Sequence, residues 1–260
     1  MPFNTIQYAE SQNIATITLN RPDKRNAMNS QLVEDLLKAM ETAAHSTARV
    51  LILTGAGKAF CAGMDLENLK LLTGRTREQT IQDSQTAARM FRTLYDFPKP
   101  TIAAVNGAAI AGGTGLATVC DFTLAVPEAK FGYTEVRIGF VPAIVSSFLV
   151  AAIGEKRARD LLLTGRIFAA QEARELGLVN EIVAADNLMK RTLELAGQLA
   201  ENSPASLRVT KGLLSGYTRE QLDRQIAQAV QENAAIRQTA DFKEGVSSFL
   251  EKRKPVWKGE

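Results

Sequence analysis

Histidine and cysteine, which supply most metal ligands and many nucleophiles, are scarce in this chain of 260 residues. The single histidine, His45, ends an amphipathic segment among alanine, serine and threonine, so we expect it at the surface. The two cysteines, Cys61 and Cys120, lie among small apolar residues, as buried reduced thiols do. Without more histidine, and without a Cys-x-x-Cys pair, a zinc centre and a Ser-His-Asp triad both lack parts. We therefore expect no metal.

Long hydrophobic runs are also absent. No apolar stretch reaches the roughly 18–20 residues that a membrane-spanning helix needs. The first residues, 1–4, lead directly into a strand-like segment and have none of the features of a secretory leader. We therefore expect a cytoplasmic protein with no membrane partner.

A strong charge of either sign is missing as well. The chain has 31 lysines and arginines against 28 acidic residues, which gives a net charge of +3. The basic residues are spread out, except for a cluster at Lys252, Arg253 and Lys254. No basic stripe is interleaved with aromatic residues, so we expect no nucleic-acid partner. The balance is compatible with a small anionic ligand.

The first half of the chain alternates strand and helix signals. Residues 3–10 and 14–19 alternate apolar and polar positions and predict two adjacent strands. Short apolar runs at 49–54 and 101–105 are typical of buried parallel strands. Ser30 is a suitable N-cap for the amphipathic helix between them.

Other segments show neither the alternation of a strand nor the three-to-four-residue spacing of a helix. Residues 67–80 mix charge, glycine and threonine, and predict an irregular segment. Residues 131–142 predict a structured loop that carries one acid, Glu135, between apolar neighbours. After Ala185 the sequence is rich in helix signals to its end. This change predicts an α/β core followed by a helical region.

Two turns rich in glycine and alanine, at residues 55–66 and 106–115, follow the two buried strands. In a parallel sheet both turns lie at the same edge, where ligands bind. Backbone N–H groups from separate turns can converge on one oxygen and stabilise it as it becomes an oxyanion or enolate. The spacing alone leaves open that both are packing turns with no ligand.

Motifs in these turns and elsewhere resemble the enoyl-CoA hydratase/isomerase (crotonase) superfamily. The motifs are Asn-Arg-Pro-Asp-Lys-Arg-Asn-Ala-Met at 20–28, Lys-Ala-Phe-Cys-Ala-Gly-Met-Asp-Leu at 58–66, Asn-Gly-Ala-Ala-Ile-Ala-Gly-Gly-Thr at 106–114 and Gly-Leu-Val-Asn at 177–180. Residues 248–257 are similar to the family's C-terminus. The match runs essentially end to end, and its motifs are specific to the superfamily rather than to one reaction within it.

The resemblance implies an α/β fold with two parts. Residues 1–195 would form a crotonase-like spiral of repeated ββα units, and residues 196–260 a C-terminal α-helical trimerisation region. It further implies a homo-oligomer, either a trimer or a dimer of trimers. The ligand would be an acyl-CoA thioester, so coenzyme A enters as part of the substrate and no separate cofactor is expected.

The resemblance also assigns roles within the site. Met64 and Gly112 match the two oxyanion-hole positions, each donating a backbone N–H to the thioester oxygen, and Glu135 matches an acid/base position. Lysine and arginine are natural partners for the phosphates of coenzyme A, and Phe140 is a candidate for the acyl pocket, although solvated surface charge and core packing explain these positions equally well. The predicted substrate-binding residues are Lys24, Arg25, Ala62, Asp65, Leu66, Gly115, Phe140 and Lys252.

Gly115 departs from the family pattern. Family hydratases usually place two glutamates around the substrate, and the first would fall at this position. Its absence leaves Glu135 as the one acid available to hold a water or carry a proton at C2. A carboxyl group buried among apolar residues has a raised pKa, which suits acid–base chemistry. If the missing acid limits hydration, we expect Gly115→Glu to raise hydratase turnover.

Three functions are therefore open. The first is hydration of a 2-enoyl-CoA thioester. The second is a Δ3,Δ2-enoyl-CoA isomerase that uses Glu135 alone, and Gly115 favours this function and the third over the first. The third is a non-catalytic acyl-CoA-binding or RNA-binding relative, which the retained turns and Glu135 disfavour. Hydration is kept first because it is the common activity of the family.

Overall fold

The computed structural model describes residues 3–260, apart from the side chain of Leu66. Met1 and Pro2, with which the predicted core begins, lie outside the described residues. The strands are β1 (Ile6–Ser11), β2 (Ile14–Leu19), β3 (Val50–Gly55), β4 (Ala59–Cys61), β5 (Thr101–Val105), β6 (Ala108–Ile110), β7 (Phe122–Ala125), β8 (Lys130–Gly132), β9 (Ile167–Ala169) and β10 (Glu181–Ile182).

Helices cover these strands and then continue alone to the end of the chain. They are α1 (Ser30–His45), α2 (Leu66–Leu72), α3 (Arg77–Tyr95), α4 (Gly112–Val119), α5 (Ala143–Ile153), α6 (Glu155–Thr164), α7 (Ala170–Glu175), α8 (Leu188–Glu201), α9 (Pro204–Tyr217), α10 (Arg219–Ile236) and α11 (Ala240–Leu250). Short 3-10 helices lie at Pro22–Lys24, Glu135–Ile138 and Ala185–Asn187.

The larger sheet has six strands in the order β1-β2-β3-β5-β7-β10. β1 and β2 form an antiparallel hairpin, and every other neighbouring pair is parallel. Gln12 and Asn13 close the hairpin with φ angles of 50° and 62°, which are typical of a two-residue turn. β5 is buried along its whole length, as predicted from its uninterrupted apolar run.

A second sheet of four strands, in the order β4-β6-β8-β9, was not predicted. β4, β6 and β8 are parallel, with Ala109 opposite Phe131 and Ile110 opposite Gly132. β9 is antiparallel to β8. Each of these strands has only three residues, which is too few to show an alternating pattern. The sequence-based prediction therefore assigned them to turns and loops. Their parallel arrangement brings three carboxyl ends to one edge of this sheet.

Two helix boundaries correct the sequence predictions. Asn29, not Ser30, caps α1, because its side-chain oxygen accepts the N–H of Leu32 at 2.9 Å. The stretch predicted to be irregular contains α2 and the first turn of α3, which Thr76 begins with a capping box to Gln79. Local capping therefore stabilises helices that the apolar pattern did not reveal.

The C-terminal helices complete the core as well as extending it. α8 packs on β3 and β5, so the predicted boundary at residues 195 and 196 falls within a helix that covers the larger sheet. α10 packs against α3 and α5. Within residues 3–260, no helix combines the length and apolar character needed to cross a membrane.

The histidine and the two cysteines do not form a common site in the described part of the chain. His45 is exposed at the end of α1, as predicted. Cys61 is buried and Cys120 half-buried, and both are free thiols. Among residues 3–260, no cluster of three or more histidine, cysteine, aspartate or glutamate side chains has the arrangement of a metal site.

Candidate active site

The three residues predicted to do chemistry follow three adjacent parallel strands. β4 ends at Cys61, β6 at Ile110 and β8 at Gly132, and Met64, Gly112 and Glu135 come two or three residues later in each case. Because these strands are neighbours in the smaller sheet, all three residues emerge at the same edge. This edge belongs to the smaller sheet. The sequence-based prediction had instead placed the two turns directly after β3 and β5 of the larger sheet.

The backbone of Met64 leaves its N–H free for a ligand. Met28 and Met64 form an isolated parallel bridge. In this bridge Met28 donates its N–H to Gly63 at 2.7 Å and accepts the N–H of Asp65 at 2.9 Å. The N–H of Met64 itself therefore points away from Met28, and it donates to no acceptor in the described part of the chain.

Gly112 presents its N–H as the first residue of α4, where a helix leaves N–H groups without an internal acceptor. The preceding residue, Ala111, has φ 52° and ψ −123°, a conformation that is strained for any residue but glycine. Its N–H donates to Gly132 at 2.6 Å, and its carbonyl accepts the N–H of Gly115 at 3.1 Å. These bonds hold the turn so that the peptide N–H of Gly112 faces outward at the positive end of the helix.

The two turns touch each other because glycine occupies the points of contact. Gly63 has φ 86°, and a Cβ there would lie 2.9 Å from the carbonyl oxygen of Ile110. A Cβ on Gly113 would overlap the carbonyl oxygen of Cys61. The close approach of these backbones brings the Met64 and Gly112 turns together, which is the arrangement that two converging N–H donors require.

Glu135 is a buried acid, only 8% exposed, at the start of a 3-10 helix. Its Oε2 atom is buried and has no hydrogen-bond partner among the described residues. Burial raises the pKa of this carboxyl group to about 7, opposed only by a hydrogen bond from its own backbone. An acid with this pKa can release and take up a proton near neutral pH.

A threonine joins the Glu135 segment to the Gly112 turn. The hydroxyl of Thr114 lies 2.6 Å from the carbonyl oxygen of Ala109 and 3.0 Å from that of Gly132. The same hydroxyl accepts the N–H of Gly132 at 3.1 Å. Thr114 is almost fully buried, so this bridge fixes β6, β8 and α4 relative to one another.

Gly115 faces side chains that leave little room for an acid. A Cβ at this position would lie 2.5 Å from Cγ1 of Val145 and 3.0 Å from Cε1 of Phe91. Val145 belongs to α5 and Phe91 to α3, and both are buried. Apolar side chains therefore fill the space into which a first glutamate would project.

The loop at 20–28 positions the Met64 turn through contacts that sequence reasoning missed. Asn26 is fully buried, and its amide donates to the carbonyls of Ala56 and Ala59 at 2.9 and 2.7 Å. The guanidinium of Arg21 pairs with the carboxylate of Asp65 at 2.8 Å. No local pattern reveals these contacts, because the partners are 30 or more residues apart in sequence.

Asp65 and Ala62 are engaged within the protein. Asp65 caps α2 by accepting the N–H of Glu67 at 2.9 Å, and its other oxygen pairs with Arg21. The N–H of Ala62 donates to the carbonyl of Arg25 at 3.0 Å. Both residues therefore shape the turn that carries the Met64 N–H. The side chain of Leu66 lies outside the described part of the structure.

The predicted phosphate-binding residues lie on exposed surface. Lys24 is exposed and 3.4 Å from Glu67, and Arg25 is exposed beside the Met64 turn with φ 51°. Lys252 is exposed just after α11, where φ is 55°. Lys24 and Arg25 lie in the loop at 20–28, which is hydrogen-bonded to the Met64 turn. Lys252 lies on the C-terminal segment instead.

Phe140 belongs to a satellite apolar cluster that adjoins the site. Its N–H donates to the carbonyl of Glu135 at 3.1 Å, and its ring packs on Phe242 of α11 at 5.4 Å between centroids. The side chain of Met64 packs against the same cluster. The buried members of this satellite cluster are Leu69, Leu72, Phe140, Phe242 and Val246.

Known proteins match this chain along nearly its whole length. A family profile described as enoyl-CoA hydratase/isomerase matches residues 9–260. The chain is 45% identical over 247 residues to a Thermus thermophilus protein provisionally named an enoyl-CoA hydratase, covering 95% of this chain and 98% of that one. It is 35% identical over 253 residues to the 2,3-dehydroadipyl-CoA hydratase of Escherichia coli, covering 96% and 97% respectively.

Solved structures support the same relationship. An enoyl-CoA hydratase/isomerase from Xanthobacter autotrophicus superimposes with a TM-score of 0.90 at 29% identity, covering 96% of this chain and 94% of that one. The predicted fold class, an α/β spiral of the crotonase type, is confirmed by this match.

Proposed function

The chain belongs to the enoyl-CoA hydratase/isomerase family, and we propose that it hydrates a 2-enoyl-CoA thioester with Glu135 as its one acid–base group. The observation that carries this proposal is the shared edge of the smaller sheet. Two backbone N–H groups, of Met64 and Gly112, and one buried acid emerge there together, all three without a hydrogen-bond partner among residues 3–260. The relatives' names include hydratases of enoyl-CoA and 2,3-dehydroadipyl-CoA, which supports this reaction class.

The two N–H groups would bind the thioester oxygen. As a nucleophile adds at C3, electron density moves onto this oxygen and an enolate forms. Donors that are already oriented stabilise that charge without reorganising, and removing one such donor costs about 2.7–4 kcal/mol of barrier in characterised enzymes. The bonded Met28 bridge and the rigid Ala111 turn fix both donors before substrate arrives.

Glu135 would carry the proton in both steps. As a carboxylate it removes a proton from water, and the hydroxide oxygen forms a bond to C3 while the C2–C3 double bond opens. Protonated Glu135 then gives its proton to C2 of the enolate, which produces the 3-hydroxyacyl thioester and restores the carboxylate. A pKa of about 7 lets one group serve as both base and acid.

Isomerisation is the second candidate, and the surroundings of Gly115 favour it. Moving a double bond from C3–C4 to C2–C3 needs only one carboxylate, which takes a proton from C2 and returns it at C4. The space beside Gly115 is filled by Phe91 and Val145, so the chain offers no second acid there to activate water. The oxyanion hole would serve both reactions equally.

A homo-oligomer is also part of the proposal. Val209, Leu213 and Tyr217 are exposed on α9 at intervals of four residues, so they form one apolar face. Exposed apolar faces of this kind commonly mark subunit contacts. Sedimentation velocity would report the trimer or hexamer, and a monomer at micromolar concentration would contradict this part of the proposal.

Oxygen-18 water separates the two reactions. The enzyme is offered a 2-enoyl-CoA and a 3-enoyl-CoA thioester in labelled water, and product mass is followed. Hydration incorporates one labelled oxygen, whereas isomerisation moves the double bond without label. We expect label in the product of the 2-enoyl thioester. A double-bond shift alone would favour the isomerase, and no product from either substrate would contradict both.

A further inference from the structure

Arg237 is a buried cation that packs on the ring of Phe140, and the proposed mechanism does not use it. It follows α10 directly and is only 3% exposed. Its Nη2 donates to the side-chain oxygen of Asn233 at 2.7 Å. Its Nε atom is buried and has no hydrogen-bond partner among the described residues. An arginine with an unsatisfied buried donor is costly, so a ligand group that satisfies it is of interest.

The charge around Arg237 is not balanced. The carboxylate of Asp83 lies 3.4 Å from Nη1 of Arg237, but it also forms a close ion pair with Arg75. Two guanidinium groups thus share one carboxylate, and one positive charge is left over. Burial lowers the pKa of Arg237 to about 10, and Asp83 offsets this only in part because Arg75 opposes it. Within residues 3–260, no second carboxylate forms an ion pair with this pair of guanidinium groups.

Phe140 connects this cation to the site. The Cζ atom of Arg237 lies 5.4 Å from the centroid of the Phe140 ring. The N–H of Phe140 donates to the carbonyl of Glu135, and its ring belongs to the satellite cluster against which Met64 packs. For an acyl chain bound at the two N–H donors and running along this cluster, Phe140 would be the side chain that leads to the Arg237 guanidinium.

We propose that Arg237 is a specificity-determining residue that binds a carboxylate at the far end of the acyl group. The missing negative charge would come from the substrate, and the free Nε would donate to it. Arg237 is suited to this because a guanidinium binds carboxylates through directed, charge-assisted hydrogen bonds. The inference rests on the proposed function in one respect, namely that the thioester end of the substrate occupies the Met64 and Gly112 turns.

A purely structural role for Arg237 makes different predictions. The Ser84 hydroxyl and Arg237 both bond to Asn233, so this network also fastens α10 to α3. If fastening were the whole role, then Asp83→Asn and Arg237→Gln would both lower stability and neither would change ligand preference. If Arg237 binds a carboxylate, Asp83→Asn removes a competitor for the guanidinium and keeps the preference. Asp83→Asn is therefore the matched control.

The test measures binding of two saturated thioesters by isothermal titration calorimetry. Hexanoyl-CoA and adipoyl-CoA have acyl chains of equal length and differ in a methyl or a carboxylate at the end. We expect the wild-type protein to bind adipoyl-CoA about tenfold more tightly, the effect of one hydrogen bond to a charged group. Arg237→Gln should remove this preference and leave hexanoyl-CoA binding within about threefold. Arg237→Lys should retain part of it.

Several outcomes would overturn the proposal. Equal affinity of the wild-type protein for both thioesters would do so without any variant. So would an equal loss of both affinities in Arg237→Gln, or loss of the preference in Asp83→Asn. Saturated thioesters are neither hydrated nor isomerised, so this result is independent of the oxygen-18 experiment. An inactive enzyme that still prefers adipoyl-CoA through Arg237 would overturn the proposed reaction and support the carboxylate site.

Discussion

The backbone N–H of Ala111 donates to the carbonyl oxygen of Gly132 at 2.6 Å. This bond joins the residue before Gly112 to the segment that leads to Glu135. The proposed acid, Glu135, and one proposed N–H donor, Gly112, are therefore positioned by the same backbone contact, which the Thr114 hydroxyl reinforces. Geometry between them should be insensitive to surface mutations and sensitive to changes inside this contact.

Glu135→Gln should lower turnover by about 10²–10⁴-fold, the usual contribution of a general acid–base group. Glutamine keeps the shape of the side chain but cannot carry the proton. Steady-state rates on a 2-enoyl-CoA thioester measure the effect. Glu128→Gln, at an exposed position, is the control and should leave the rate unchanged. If the turnover of Glu135→Gln is within a few-fold of the wild-type value, Glu135 is not the acid–base group.

The stability of the protein should depend on pH through Glu135. Its pKa is raised in the fold, from 4.5 to about 7, so the folded state binds the proton more tightly than the unfolded chain. The free energy of unfolding therefore decreases as pH rises from about 4.5 to about 7, by up to ~3 kcal/mol. Urea denaturation of wild type and Glu135→Gln should give curves that diverge over this range, with the variant more stable at pH 8. Parallel curves would contradict the raised pKa.

Gly112→Ala should reduce kcat by about 10–100-fold, a substantial part of the loss that follows removal of an oxyanion donor. The new Cβ would overlap the Cε atom of Met28, which displaces the turn and its N–H. Adding Met28→Ala removes the obstacle and should restore most of the rate. If the double variant is as slow as Gly112→Ala alone, the loss does not come from Met28.

Gly115→Glu should destabilise the protein rather than speed hydration. Its side chain would enter the space held by Val145 and Phe91, and overpacking alone costs about 1–3 kcal/mol. This outcome replaces the simple expectation from sequence that the missing acid can be restored by one change. The double variant Gly115→Glu/Val145→Ala makes room for the carboxylate. Hydration faster than wild type in the single variant would show that the site accommodates the acid without repacking.

Gly245→Ala should loosen the contact between α11 and the Glu135 segment. A Cβ there would overlap the carbonyl oxygen of Ile138, so we expect a loss of about 1–3 kcal/mol in stability and a lower pKa in the rate profile as water reaches Glu135. Gly212→Ala in α9 is the matched control, because its Cβ meets open space. It should stabilise the protein by up to ~1 kcal/mol and leave the pH profile unchanged. Identical pH profiles for both variants would contradict the role given to α11.

The long, regular elements could be predicted from sequence, because they carry their own periodic signals. The β1–β2 hairpin, α1, β3 and β5 are examples. The three-residue strands of the smaller sheet could not be predicted, since a strand this short shows no alternation and is stabilised by its neighbours. The capping of α1 was assigned one residue late for a similar reason, because Asn29 and Ser30 are both suitable caps.

The sequence identified the main candidate residues of the site but not the contacts that surround them. Motif resemblance identified Met64, Gly112 and Glu135 as candidates, and the structure brings their segments to one edge. The positions of Asn26 and Arg237 were missed because their contacts are with residues distant in sequence. The filled space beside Gly115 was also invisible, since Phe91 and Val145 belong to separate helices.

The contact between α11 and the Glu135 segment also bears on when activity arises during synthesis. Strands β1 to β8 and the two candidate N–H donors precede residue 133, and Glu135 follows at once. The 3-10 helix that begins at Glu135 is covered by α11, which begins at Ala240 and packs on Ile138 through Gly245. A nascent chain that lacks α11 would carry all three proposed site residues, but we expect the pKa of Glu135 to be closer to its ordinary value in that chain. Catalytic competence would then appear abruptly, when the last helix docks.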